Sequence, residues 1–249
     1  MNNNEKLVYC RLKSDGYTKA AIAAVMGVCG GESGFLTLKE IGYTTTPNVN
    51  IRAIFSSKLG NASEAYINQC KTSDYNFFNC VYGGNYGNSP TEGFKYVGRG
   101  FNGITYKDNY RFFGNKLNAA YGENIDLVQN PELLEQPKYA AMALSQYMQA
   151  VKNITTYEAA FQEAFRQNAG PGYTFAQYAA STNPVAVQGI PLKRKKGQAY
   201  LDAINRGDFS DACGGSDLGP LGASGLLTSF PILFFLTLGG YYLYKRFRK

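Results

Sequence analysis

Thr18-Lys19-Ala20-Ala21-Ile22-Ala23-Ala24-Val25-Met26-Gly27-Val28-Cys29-Gly30-Gly31-Glu32-Ser33-Gly34-Phe35 decides how the rest of the chain is read. Ile22, Val25, Met26 and Cys29 recur at three- and four-residue spacing, the period of a helix, and Thr18 carries the hydroxyl that an N-cap needs. The alanines permit close packing, and the pattern predicts a helix that ends at Gly30-Gly31. Glu32 then stands at the C-terminal end of an apolar helix, among glycines that let a substrate approach. Burial and the negative helix end there both suit a carboxyl that gives up a proton.

The same period predicts helices at Val49 to Leu59, Ala62 to Cys70, Lys107 to Leu117, Pro137 to Val151, Thr156 to Gln167, Phe175 to Ala180 and Leu192 to Asn205. The fold class is therefore mainly α. Gly83 to Gly103 has neither helical nor strand period and is rich in Gly, Asn and aromatic residues, so an ordered loop or short hairpin is expected there. Ordered loops of that kind line binding sites.

Of the 249 residues, 45% are hydrophobic and 17% charged, a globular composition with room for one domain and an appendage. The net charge of +7 is concentrated: Lys245, Arg246, Arg248 and Lys249 close the chain, and Arg194-Lys195-Lys196 adjoin one another. What remains is scattered, which suits an anionic glycan or a membrane surface and not a nucleic acid. With no histidine in the chain, a Ser-His-Asp triad, a Cys-His pair and His-bearing zinc sites are all excluded. Cys10, Cys29, Cys70, Cys80 and Cys213 form no Cys-x-x-Cys motif, so no metal or other cofactor is expected and carboxylates lead the search for acid-base chemistry. Cys70 and Cys80 are placed to close a short loop, while Cys10 and Cys29 read as small buried thiols.

From Asp208 the composition shifts to Gly, Ser, Asp and Pro, giving a linker over 208–224 after a domain at 1–207. Gly225 to Tyr244 carries no charge; as a helix it would span roughly 30 Å, the hydrocarbon thickness of a bilayer. Tyr241, Tyr242 and Tyr244 precede the basic tail as interface anchors do, so 225–249 is expected to be one transmembrane helix with its tail facing the cytoplasm or a virion interior. No apolar run after Met1 to Lys6 is long enough for a signal peptide, and a cleaved export signal is not expected.

Several further segments share one pattern. Glu40 follows Glu32 by eight residues, with Tyr43-Thr44-Thr45 behind it. Next come Val81-Tyr82-Gly83-Gly84-Asn85-Tyr86-Gly87-Asn88, then Phe94-Lys95-Tyr96-Val97-Gly98-Arg99-Gly100 ahead of Thr105 and Asn109, and Asp126-Leu127-Val128-Gln129-Asn130-Pro131-Glu132-Leu133. Taken together, residues from about 17 to 205 resemble the family-19 glycoside hydrolases, the chitinase-like group that includes many phage endolysins. The resemblance implies an α-rich, lysozyme-like domain of two lobes with a cleft between them. It also implies Glu32 as general acid, Glu40 as the base that activates water, and Thr105 as a residue that positions that water. Tyr96 would line the sugar cleft, Arg99 would hold carboxylates in place, and Asn109 and Asn168 would contact substrate, while Asn130 would cap into Pro131. Two departures stand out: Gly31 occupies the family's usual His position, and Gly103 replaces its Gln.

The expected activity is hydrolysis of β-1,4 amino-sugar linkages in peptidoglycan or chitin by an inverting route, in which the two carboxyls flank the bond with room for water. The expected partners are peptidoglycan glycan strands and, through Gly225 to Tyr244, membrane lipid; the setting is a virion membrane or bacterial envelope, in a phage virion or lysis component. One rival is a lytic transglycosylase that uses Glu32 alone. Another is a membrane-tethered wall-binding or structural protein on a decayed enzyme fold, against which the retained Glu32, Glu40, Arg99 and Thr105 speak.

Overall fold

A computed structural model of the chain describes residues 2–37, 39–169, 184–210 and 212–213. The predicted helix at Phe175 to Ala180, residues 211 and 214–224 of the linker and the whole of the apolar run lie outside the described residues. Among those described, no helix is long and apolar enough to cross a membrane.

Helix α1 (Asn3–Ser14) opens on a capping box: the Asn2 side chain accepts from the Glu5 amide at 2.8 Å and the Glu5 carboxylate from the Asn2 amide at 2.7 Å. In α2 (Lys19–Glu32) the Thr18 hydroxyl accepts from the Ala21 amide, as the sequence predicts. This helix continues through Gly30-Gly31 instead of ending there. Both glycines are buried against neighbours, and a Cβ on Gly30 would lie 2.8 Å from the Phe35 ring. They serve packing, and the chain leaves the helix only at Ser33.

The predicted helix at Val49 to Leu59 is split into α3 (Asn48–Ile54) and α4 (Ser56–Leu59) at Phe55, whose ring is buried in an aromatic cluster. Next come α5 (Glu64–Cys70) and α6 (Asp74–Tyr82), the second of which the sequence reading left unassigned. Ser73 starts α6 by accepting from the Asn76 amide. Helix α7 (Lys107–Tyr121) stops at Gly122, which takes the left-handed conformation at φ 66°.

After Asp126 the capping expectation for Asn130 is corrected. Its side chain makes no cap bond, and Asp126 instead accepts from the Val128 and Gln129 amides. Helices α8 (Pro137–Tyr147), α9 (Tyr157–Ala169) and α10 (Pro184–Arg206) complete the described set. The last passes straight through Pro191, the kind of residue at which a sequence reading stops a helix. No strand occurs among the described residues; one antiparallel bridge, Arg99 with Ile104, ties a short hairpin.

Two apolar clusters result. The larger gathers residues of α1, α2 and α7 to α10, with α2 buried from Ala20 to Gly31. The smaller is mostly aromatic and joins Tyr43, Phe55, Phe77, Phe78 and Tyr82 to Val97 and Tyr106. The chain leaves the first cluster after Phe35, builds the second, and returns from Tyr96 onward, so a mainly helical fold with two cores is observed.

Disulfides reinforce both. Cys70–Cys80 joins α5 to α6, the short loop expected from spacing. Cys10, read as a free buried thiol, is instead bonded to Cys213, 203 residues away; only tertiary structure brings that pair together. Cys29 is buried with a free thiol.

The backbones of α2 and α10 come close where the two helices cross. A Cβ on Gly27 would lie 2.5 Å from the Cα of Gly197 and 2.8 Å from the Lys193 carbonyl oxygen. Gly27→Ala should therefore lower stability by about 1–3 kcal/mol, seen as a reduced urea midpoint with an unchanged slope.

Candidate active site

Glu32 is the last residue of α2. Immediately after it, Gly34 and Phe35 both have φ of 60°, and this pair of left-handed residues turns the chain back so that Phe35 packs edge-on against Phe101 and Tyr200. The Glu32 carboxyl is thereby left at the edge of the large core, with 14% of its side chain exposed. Its Oε1 accepts from Asn168 Nδ2 at 3.1 Å and from the Lys193 ammonium. Lys193 comes from α10, is only 7% exposed, and lays its stem over Gly31, where any Cβ would run into it. The missing side chain at 31 is thus the space a lysine occupies.

Glu40 belongs to the other cluster. Its amide donates to the Gly98 carbonyl at 2.8 Å and the Gly98 amide returns a bond to Oε2 at 3.2 Å. Tyr43 donates to Oε1 at 3.2 Å, and the Tyr82 hydroxyl lies 3.0 and 3.1 Å from the two oxygens. Burial pushes this carboxyl up from 4.5 to about 7, although the Gly98, Tyr82 and Tyr43 donors each pull the other way. Loss of water outweighs three hydrogen bonds.

Gly98 also explains how Thr105 joins the site. A Cβ there would sit 3.2 Å from Glu40 Oε2 and 3.4 Å from Thr105 Oγ1, so the bare glycine separates the carboxylate from the hydroxyl by one small gap. Thr105 donates to the Gly103 carbonyl at 2.9 Å, and Asn109 Nδ2 donates to the Thr105 carbonyl at 2.8 Å, fixing the entry to α7. The structure therefore groups Glu40 with Thr105, and Glu32 with Asn168.

Two expected site residues lie elsewhere. Tyr96 is 1% exposed with its hydroxyl on the Val128 carbonyl, so its ring is packed in the core and offers no face to a sugar. Arg99 does hold a carboxylate, but it is that of Glu135, at 2.7 Å from Nε, while Nη1 donates to the Lys95 carbonyl and the Tyr110 hydroxyl. Both brace the segment that carries Gly98. Asn109 likewise spends its amide on the backbone.

Sequence reasoning missed Lys193, Tyr43 and Tyr82. A signal for the lysine existed: Ile190, Lys193, Gly197 and Ile204 recur at three-, four- and seven-residue intervals and are all buried, so Lys193 lies on the packing face of α10. A lysine on such a face calls for a carboxylate partner.

No protein-family model matches the chain, and no curated protein matches it. The crystal structure of chitinase C from Streptomyces griseus HUT6037 is similar over 77% of this chain, at 21% identity and a TM-score of 0.41. The chain spans 61% of that chitinase. A likeness this loose assigns no chemistry to the site.

The raised Glu40 carboxyl has a stability consequence of fixed sign. Because the folded state holds this proton up to about 7 while the unfolded chain releases it near 4.5, stability from this group is complete at acid pH and is lost as pH rises through 7. The loss is on the order of 3 kcal/mol. Urea midpoints should therefore fall between pH 5 and pH 8 in the wild type, and Glu40→Gln should flatten that slope.

Proposed function

We propose that this chain is a glycosidase that hydrolyses β-1,4 amino-sugar linkages of peptidoglycan, with Glu32 as the acid and Glu40 as the base. The observation that carries the reading is the contrast between two carboxyls: Glu32 meets a cation and an amide at the edge of one core, whereas Glu40 is buried in the other beside Thr105. A base works best with its pKa near the working pH, which is where burial puts Glu40.

In the proposed step Glu32 enters as the neutral acid and gives its proton to the departing glycosidic oxygen as the bond from the anomeric carbon breaks, and the ion pair with Lys193 corresponds to the state after that transfer. Asn168 and Lys193, both donating to Oε1, stabilise the carboxylate left behind. On the opposite face of the sugar, Glu40 takes a proton from water while the water oxygen bonds to the anomeric carbon, and the Thr105 hydroxyl orients that water. The anomeric centre inverts.

One observation favours a second reading. Both Glu40 oxygens already accept hydrogen bonds and only 6% of the residue is exposed, which suits a lytic transglycosylase that needs Glu32 and no activated water. A non-catalytic wall-binding protein is the third reading. Gly225 to Tyr244 supports anchoring in a virion membrane or bacterial envelope, as in a phage virion or lysis component. The two disulfides suit an oxidising compartment for the domain.

The full-length protein in detergent, incubated with purified peptidoglycan, should release fragments with reducing ends by mass spectrometry. Glu32→Gln should lower the rate by about 10²–10⁴-fold. Anhydro ends would assign the transglycosylase, and tight wall binding without release would assign the binding protein. For the hydrolase, the rate should rise with pH along a limb centred near 7. Tyr82→Phe, which removes a donor that favours the charged carboxylate, should move that limb to higher pH.

A further inference from the structure

Among the described residues, the non-glycine residues with positive φ are Phe35 at 60°, Tyr86 at 43° and Tyr106 at 74°. A side chain in this region crowds the backbone, and such strain gathers where function demands a particular geometry. All three are aromatic. Phe35 closes the turn after Glu32, and Tyr106 follows Thr105 directly. Both are buried, at 1% and 6%, so core packing offsets their strain. Tyr86 is different, because 40% of it remains exposed.

The loop around Tyr86 is built to hold it there. Its carbonyl accepts from the Asp108 amide at 3.1 Å, and Gly87 takes φ 83° with the Asp108 carboxylate where a Cβ would be. Asn88, itself buried, donates to the Tyr82 carbonyl and accepts from the Lys107 amide, both at 2.9 Å. The Tyr86 ring stands edge-on to Tyr106 at 4.8 Å, Tyr106 stands edge-on to Tyr82 at 5.3 Å, and the Tyr82 hydroxyl contacts Glu40. An exposed ring is thus connected through two buried ones to a carboxyl of the site.

We infer that Tyr86 is a stacking platform for a pyranose ring of the glycan strand, in a subsite outward from Glu40. This rests on the glycosidase reading and adds a residue to it. A pyranose presents a face of C–H groups that packs on an aromatic ring. The outward position makes the contact serve long substrates and leave short ones untouched.

The chain contains no tryptophan, so Tyr86→Trp supplies a single indole, excited selectively beyond the tyrosine absorption, at the proposed subsite. Titrating that full-length variant with the β-1,4-linked hexamer of N-acetylglucosamine should shift its emission, and the dimer should not. Tyr86→Ala should raise KM for the hexamer about three- to tenfold and leave kcat within about twofold. Tyr86→Gly should bind as weakly as Tyr86→Ala yet melt no lower than the wild type, because glycine adopts φ 43° without strain, which separates lost binding from lost folding. An unchanged emission in a variant that still cleaves the hexamer, or an unchanged KM in Tyr86→Ala, overturns the platform alone. A wild type that neither binds nor cleaves chitin oligomers or peptidoglycan overturns the glycosidase reading and the platform with it.

Discussion

The contact between Gly27 of α2 and Gly197 of α10 sets the geometry on which the site depends. Two bare glycines let the backbones meet, and the Tyr157 hydroxyl fills the remaining side by bonding to the Arg194 carbonyl. At that separation α10 delivers Lys193 to Glu32 and Lys196 to the Gly30 carbonyl at 2.8 Å. Helix α2 has no basic residue in its own last turn, so both cations that meet its negative end come from α10. A wider crossing would leave the Glu32 carboxyl without its ammonium.

The other carboxyl is governed by the opposite balance. The donors to Glu40 are two tyrosine hydroxyls and a backbone amide, set in a wall of aromatic rings. Neutral donors in a dry setting do not replace the hydration of a charge, which is why burial prevails over them. The small aromatic core therefore does more than support α3 to α6. It shifts the titration of Glu40, and Gly98 keeps the space between that carboxyl and Thr105 open.

Fixity of the ends complements these local balances. The Cys10–Cys213 bond, the Tyr200 hydroxyl on Glu5 at 2.8 Å and the Tyr9–Phe209 ring contact at 4.4 Å all join α1 to α10 or to the residues just after it. The helix that carries Lys193 is thereby held at its far end by the first helix of the chain. Closing so long a loop restricts the unfolded chain strongly.

Much was legible in the sequence because it depends on neighbours along the chain. Helical periodicity and the Thr18 cap located α2, the glycines around Glu32 marked that residue, and the motifs shared with a known family marked Glu40 and Thr105. Whatever depended on partners far away in sequence was decided by tertiary structure. Gly30 and Gly31 resemble a helix stop and are packing sites, because what they contact comes from Phe35 and Lys193. Tyr96 and Arg99 carry the chemistry of a binding site and serve as braces, because Val128 and Glu135 lie against them. Lys193 and Cys213 acquire their roles only when α10 folds back on α2 and α1, a juxtaposition that no local pattern encodes.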